Sequence, residues 1–170
     1  MLPLKTDCLK QPEIPLQRFK CMIVLFICTG NTCRSPIAEA VYNHYSTNLE
    51  ENYAFSRGTN VFMPQSINPK SAYVLEKHGI DFNHDFCSCQ LSTKDMEKAD
   101  IVLTMTSEQK LLLKNAFPNY KFKIYSLCEK AYGKDGDIDD PFGGSIEIYM
   151  HTCDEILKAV KNIYEQNYQH

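Results

Sequence analysis

The segment around residues 22–36 constrains the fold most, because an apolar run passes through a tight turn into a helix start. Residues 22–27 are all apolar and rich in β-branched and aromatic side chains, which is typical of a central strand buried on both faces. Residues 28–33 are mostly small or turn-prone. Ser35 before Pro36 is the pattern of a helix N-cap followed by proline at the first helical position. The sequence therefore predicts a strand, a short loop and a helix.

The rest of the chain alternates in the same way. Apolar or alternating runs predict further strands at residues 53–56, 101–105 and 121–127. Capped or amphipathic segments predict helices at residues 68–79, 92–99, 107–116 and from about 145 to the end. This alternation predicts an α/β fold: a single three-layer domain with a central four-stranded parallel sheet and helices on both faces.

Composition limits the domain organisation and the partners. The 170 residues suit one domain, and 44% of them are hydrophobic, so they supply a core. Residues 1–20 carry three prolines without a clear period and are predicted to be a flexible extension, whereas residues 21–170 form the domain. A net charge of −3 argues against a nucleic-acid partner, and no apolar run reaches the roughly 20 residues of a membrane span.

Cysteine usage indicates a reducing compartment. The chain has eight cysteines but no signal-peptide pattern at its start, so we expect reduced thiols and a cytoplasmic protein. Cys87 and Cys89 form a C-x-C pair without a second pair at zinc-ligand spacing, which argues against a metal site. We expect no cofactor and a monomer.

The loop after the first strand carries the strongest chemical signal. In parallel sheets, ligands bind beyond the carboxyl ends of the strands, which is where Cys28 lies. Arg34 follows at the start of a helix, where a positive charge is unfavourable unless an anion compensates it. Loop amides and a guanidinium together bind a phosphate and favour a thiolate at Cys28, ready for nucleophilic attack. The alternatives are a small packed cysteine and a structural turn.

The loop and its flanks resemble a known family. The run Cys28-Thr29-Gly30-Asn31-Thr32-Cys33-Arg34-Ser35-Pro36 is similar to the signature of the low-molecular-weight protein tyrosine phosphatases. The similarity continues from about Met22 to the last helix. The resemblance implies a phosphate-binding loop after the first strand, a phosphocysteine intermediate, phosphorylated protein substrates and no cofactor.

The general acid is expected on a separate loop. Transfer of a phosphoryl group to cysteine requires a proton for the leaving group. Pro141 restricts Asp140 to an extended conformation, which favours Asp140 over the neighbouring Asp139. The family resemblance also points to the aspartate before proline, Asp140. Phe142 is expected to form an aromatic wall of the site.

Supporting roles are assigned to loop residues and one histidine. Asn31 is expected to hold the loop in shape, and Ser35 to donate to the Cys28 thiolate and cap the helix. The resemblance implies that His84 hydrogen-bonds Asn31, and that Cys33 forms a reversible disulfide with Cys28; a surface histidine and a small packed cysteine are the alternatives. The other residues expected to bind substrate are Thr29, Gly30, Thr32 and Cys33.

The sequence leaves two candidates for the phosphorylated residue of the substrate, arginine and tyrosine. The family that the chain resembles includes tyrosine phosphatases and bacterial protein-arginine phosphatases. Thr32, where tyrosine-directed members usually have a branched aliphatic residue, favours phosphoarginine, as does the similarity of residues 140–149 to bacterial arginine phosphatases. The remaining alternatives are an arsenate reductase that would relay through Cys87 and Cys89, and a non-catalytic phosphate-binding module.

Overall fold

A computed structural model describes residues 21–46 and 49–168. Its strands are β1 (Ile23–Cys28), β2 (Tyr53–Gly58), β3 (Ile101–Thr104) and β4 (Ile124–Ser126). Its α-helices are α1 (Arg34–Tyr45), α2 (Pro69–Lys77), α3 (Thr93–Lys98), α4 (Ser107–Ala116), α5 (Leu127–Tyr132) and α6 (Ile146–Tyr168). A 3-10 helix (Pro118–Lys123) precedes β4. The predicted extension, residues 1–20, lies outside the described residues.

The sheet is parallel throughout and places the first strand in its centre. The strand order is β2-β1-β3-β4. Leu25 pairs with Phe55 on one side and with Val102 on the other, which explains why β1 is apolar along its whole length. The predicted four-stranded parallel sheet is confirmed, and the carboxyl end of β1 falls where two neighbouring strands also end.

Two apolar layers cover the two faces of the sheet. On one face, Val24 and Phe26 pack in a cluster with side chains of α1, α2, α5 and α6. On the other face, Leu25 and Ile27 pack in a cluster with Met96 of α3 and Leu113 of α4. Successive β1 side chains point to opposite faces, so one uninterrupted apolar strand contributes to both layers. The three-layer prediction is confirmed.

The strand predicted at residues 121–127 is present but much shorter than expected. The alternating pattern predicts one strand there, but the chain forms the 3-10 helix after Pro118, a three-residue β4, and then α5. Ser126 and Glu129 form a capping box that starts α5 immediately after β4. Local capping therefore outweighs the weak alternating pattern.

A histidine links the end of α2 to α6. The Nδ1 atom of His78 lies 2.7 Å from the Val74 carbonyl oxygen, and its Nε2 atom lies 2.8 Å from Asp154 Oδ1. Both partners are acceptors, so the doubly protonated imidazolium satisfies both contacts. The hydrogen bond to the Val74 carbonyl and the Asp154 carboxylate raise the pKa of His78, although partial burial opposes them.

We expect the free energy of unfolding to depend on pH through the protonation of His78. Because its folded-state pKa lies above the unfolded value, its contribution is complete below about pH 6.5 and disappears as pH rises through the folded-state value. His78→Gln should therefore lower the free energy of unfolding by up to about 1 kcal/mol at pH 5.5 and by little at pH 8.5. Urea unfolding across this range measures the difference, and a pH-independent difference would contradict the expectation.

Candidate active site

The phosphate loop predicted from the sequence joins β1 to α1 and encloses the Cys28 sulfur. Cys28 is 3% exposed. The Asn31 backbone N–H donates to its Sγ atom at 3.3 Å, and the Ser35 hydroxyl lies 3.0 Å from it. Asn31 adopts a left-handed φ of 54°, which turns its amide towards the sulfur. Cys28 therefore lies on the floor of a turn of inward-facing donors.

The side chain of Asn31 sets the direction of the hydrogen bonds around the sulfur. The Cys89 backbone N–H donates to Asn31 Oδ1 at 2.9 Å, which fixes the orientation of the amide. Asn31 Nδ2 then donates to the hydroxyls of Ser35 and Ser56, each at 2.9 Å. Since the Ser35 oxygen accepts from Asn31, its own O–H is free to donate to the Cys28 sulfur. The Ser35 hydroxyl and the Asn31 backbone N–H are therefore both directed at the Cys28 sulfur.

Ser35 does not cap α1. The N-cap position is Cys33, without a side-chain cap, and α1 already begins at Arg34. The Ser35 hydroxyl instead contacts Asn31 and Cys28. The predicted N-cap is therefore wrong, whereas the predicted contact with the cysteine is present.

The predicted hydrogen bond from His84 to Asn31 is absent from the described part of the chain. The His84 side chain is 72% exposed, and its Nε2 atom lies 3.7 Å from Asp81 Oδ1. The Gly58 N–H donates to the Cys89 carbonyl at 2.9 Å, which holds the Cys89 backbone against the end of β2 and its N–H against Asn31. The backbone of Cys89 therefore takes the position that the sequence assigned to His84.

Gly58 contributes to the site because the phosphate loop packs against it. A Cβ atom at this position would lie 2.7 Å from the Thr29 carbonyl oxygen and 2.4 Å from Val61 Cγ2. The next two residues, Thr59 and Asn60, donate their N–H groups to the carbonyls of Cys28 and Thr29, both at 3.0 Å. Only glycine allows the end of β2 to approach this closely. The Arg57-Gly58 end of the strand was the only sequence signal for this role.

Arg34 is almost completely buried and only partly hydrogen-bonded. It is 4% exposed, and its Nη1 atom donates to the Ile138 carbonyl at 2.9 Å. Its Nη2 atom pairs with Asp140 Oδ2 at 3.0 Å. Its Nε atom has no hydrogen-bond partner among the described residues. An unpaired buried donor is costly, by about 1–3 kcal/mol, so the guanidinium is suited to an anion ligand.

Asp140 and Phe142 lie on the loop before α6, at the edge of the same cleft. The Asp140 side chain is 52% exposed, and its Oδ1 atom accepts the Phe142 N–H at 3.2 Å. Phe142 is 73% exposed. Of the two candidate acids, Asp140 pairs with Arg34 and lines the cleft that contains Cys28, whereas Asp139 lines an adjoining cleft.

A cleft of about 370 Å³ brings these groups together. Every loop residue predicted to bind substrate lines it except Asn31 and Ser35, which support the loop from behind. The lining also includes Phe62 and Met63, which are 89% and 70% exposed. This part of the lining was not predicted from the sequence, because a three-residue apolar run in an irregular segment gives no periodic signal.

Cys33 is buried beside an aromatic hydroxyl. It is 5% exposed, and its Sγ atom lies 3.4 Å from the hydroxyl of Tyr149. Burial and the nearby Cys33 thiol raise the pKa of Tyr149. Cys28 and Cys33 are both free thiols, so the reversible disulfide stays a prediction. Cys87 and Cys89 are free and exposed.

Fold and site together define a class: α/β proteins that bind an oxyanion in a loop with a cysteine at its floor and an arginine in its wall. A family model described as low molecular weight phosphotyrosine protein phosphatase matches residues 23–169, and the chain belongs to that family. The family expected from the loop motif is thereby confirmed.

Among the helices of residues 21–46 and 49–168, none combines the length and the apolar character of a membrane span.

Relatives and solved structures cover most of the chain. A protein-arginine-phosphatase of Bacillus subtilis is 36% identical over 151 residues, covering 85% of this chain and 96% of the relative. The low molecular weight protein-tyrosine-phosphatase PtpB of Staphylococcus haemolyticus is 39% identical over 139 residues, covering 82% and 95%. A structure of the YwlE arginine phosphatase, a cysteine-to-serine mutant with a phosphorylated active-site serine, is similar with a TM-score of 0.77 and 36% identity, covering 85% and 95%.

The close approach at Gly58 gives a prediction for stability. Gly58→Ala should lower the free energy of unfolding by about 1–3 kcal/mol, because the new methyl group meets the Thr29 backbone. The matched change Gly30→Ala places its methyl group 3.8 Å from the nearest atom and should change stability much less. Thermal and urea unfolding compare the two. Equal stability of the two variants would show that the approach is not restrictive.

Proposed function

We propose that this protein is a phosphatase that hydrolyses phosphorylated residues of other proteins through a phosphocysteine intermediate. The observation that carries the proposal is the buried Arg34, with an unpaired Nε donor, beside the Cys28 sulfur in one cleft. A buried guanidinium suits a phosphate dianion, and a cysteine sulfur in the same cleft can act as the nucleophile towards its phosphorus.

The first step transfers the phosphoryl group to sulfur. The substrate phosphate occupies the loop and takes the Arg34 donors, replacing the ion pair between Arg34 and Asp140. The negative charge next to Asp140 then favours its protonated form. The Cys28 thiolate forms a bond to phosphorus, the bond from phosphorus to the leaving group breaks, and Asp140 donates its proton to the leaving group.

The second step releases phosphate. Asp140, now ionised, takes a proton from a water molecule that attacks phosphorus, and the bond between sulfur and phosphorus breaks. The Ser35 hydroxyl stabilises the departing thiolate through the 3.0 Å contact. The phosphorylated active-site serine of the YwlE mutant supports a covalent intermediate at this position. Neither step uses a metal or another cofactor.

We propose phosphoarginine as the preferred substrate. Relatives named protein-arginine-phosphatase match 84–85% of the chain. Thr32 lines the cleft, and its hydroxyl, 3.7 Å from Cys33 Sγ, gives the wall a polar group suited to a guanidinium. The carboxyl group of Asp140 can pair with the same guanidinium. Phosphotyrosine is the second candidate, because Phe62 and Phe142 provide aromatic surface in this cleft.

Two substitutions test the catalytic assignments. Cys28→Ser should reduce phosphate release from phosphopeptides by at least about 10⁴-fold while keeping binding of inorganic phosphate, because it removes the thiolate but not the loop. Asp140→Asn should lower kcat/KM by about 10²–10³-fold. Steady-state assays and calorimetric titration with phosphate measure these effects.

The neighbouring aspartate is the matched control. Asp139→Asn removes the same charge one residue away and should keep kcat/KM within about threefold. A larger loss from Asp139→Asn than from Asp140→Asn would reverse the assignment of the acid. Thioredoxin-coupled turnover of arsenate, without phosphate release from peptides, would support the arsenate-reductase alternative instead.

Substrate preference depends on Thr32. We expect the wild-type protein to prefer phosphoarginine over phosphotyrosine peptides, and Thr32→Ile to shift the ratio of kcat/KM values about tenfold towards phosphotyrosine, because it replaces a polar group by an apolar one of similar shape. Paired assays on peptides of identical flanking sequence measure the ratio. Equal rates that the substitution leaves unchanged would defeat the arginine assignment without affecting the phosphatase assignment.

A further inference from the structure

The first turn of α2 touches both loops of the active site. The Asn68 backbone N–H donates to the Thr32 carbonyl of the phosphate loop at 2.9 Å. Two residues later, Lys70 Nζ donates to the Gly144 carbonyl of the aspartate loop, defined as residues 139–145. The Asn68 side chain caps α2 by accepting the Lys70 N–H at 2.9 Å, which fixes this turn. One helix end therefore contacts two segments that are far apart in the sequence.

Hydrogen bonds within the aspartate loop connect Gly144 to Asp140. The Gly144 N–H donates to the Pro141 carbonyl at 2.8 Å, and Gly143 has a φ of 77°, so residues 141–144 form a closed turn. The Phe142 N–H donates to Asp140 Oδ1 at 3.2 Å. Asp140 is thus linked to the turn through its side chain and through the rigid Pro141.

Lys70 is held by a second contact, at the base of α6. Its Nζ atom lies 5.6 Å from the ring centroid of Tyr149, within the range of a cation–π interaction. Tyr149 is 1% exposed, and its hydroxyl contacts Cys33 Sγ at 3.4 Å, so the ring is fixed relative to the phosphate loop. The lysine therefore connects the aspartate loop to a buried part of the site.

We propose that Lys70 is a positioning residue for the general-acid step, holding the aspartate loop through Gly144 so that Asp140 stays in the cleft that Cys28 also lines. The role follows from what happens when substrate binds. The described partner that ties the Asp140 carboxylate to the phosphate-binding half of the cleft is Arg34, and the substrate phosphate takes that partner away. Lys70 then keeps the loop in place. This inference rests on the proposed function.

Leaving-group dependence tests the proposal. Lys70→Met keeps an aliphatic chain over Tyr149 and removes the donor to Gly144. Phenyl phosphate has a strongly basic leaving group that needs the proton of Asp140, whereas the leaving group of p-nitrophenyl phosphate is a weaker base and needs it less. Lys70→Met should lower kcat/KM by about fivefold for phenyl phosphate and by less than about twofold for p-nitrophenyl phosphate.

Three further variants separate positioning from charge and stability. Lys77→Met removes another exposed lysine of the same helix, 5.3 Å from the ring centroid of Tyr73, and should keep the wild-type ratio of the two substrates. Lys70→Arg should restore the ratio, since arginine also reaches Gly144. In the Asp140→Asn background, Lys70→Met should cause no further loss for phenyl phosphate, because the acid that it positions is absent.

Equal losses on both substrates, or no loss, would overturn the proposal, because both substrates carry the same dianion and respond equally to a general field effect. A wild-type protein that releases phosphate neither from these two substrates nor from phosphoarginine peptides would instead overturn the proposed function.

Discussion

The orientation of one buried amide is the constraint on which the site depends. The Cys89 N–H can only donate, so it fixes the carbonyl end of the Asn31 side chain and directs both Nδ2 hydrogens to Ser35 and Ser56. Ser35 is left with its proton for the Cys28 sulfur. A short chain of hydrogen bonds thereby connects the Cys89 backbone to the Cys28 sulfur at the end of a buried strand.

The positive charge in the phosphate loop comes from Arg34, whereas the protein as a whole has a net charge of −3. Attraction of a phosphorylated substrate by the overall field is therefore weak, and binding depends on local donors. Arg34 is buried against the Ile138 carbonyl and paired with Asp140. Its charge is therefore shielded from water and balanced in part by the Asp140 carboxylate. In the proposed reaction the phosphate replaces the carboxylate, which links substrate binding to release of the acid.

The phosphate loop and the aspartate loop are positioned by elements whose residues do not line the cleft. The end of β2 supports the phosphate loop through Gly58, which leaves no room for a side chain. The start of α2 contacts the phosphate loop through Asn68 and the aspartate loop through Lys70. Packing at one strand end and one helix end therefore sets the position of Cys28 relative to Asp140, although the two residues are far apart in the chain.

The sequence by itself determined the layer architecture and the place of the loop that carries Cys28 and Arg34. An apolar strand with no polar interruption must lie between two layers, and a tight turn at its end keeps the cysteine and the arginine close together. Only the tertiary structure decided what surrounds that loop. The place expected for His84 went to the Cys89 backbone, and Ser35 turned from a cap to the sulfur, because both outcomes depend on how the end of β2 packs against the loop. Such contacts join residues distant in sequence, so neither periodicity nor local capping patterns reveal them.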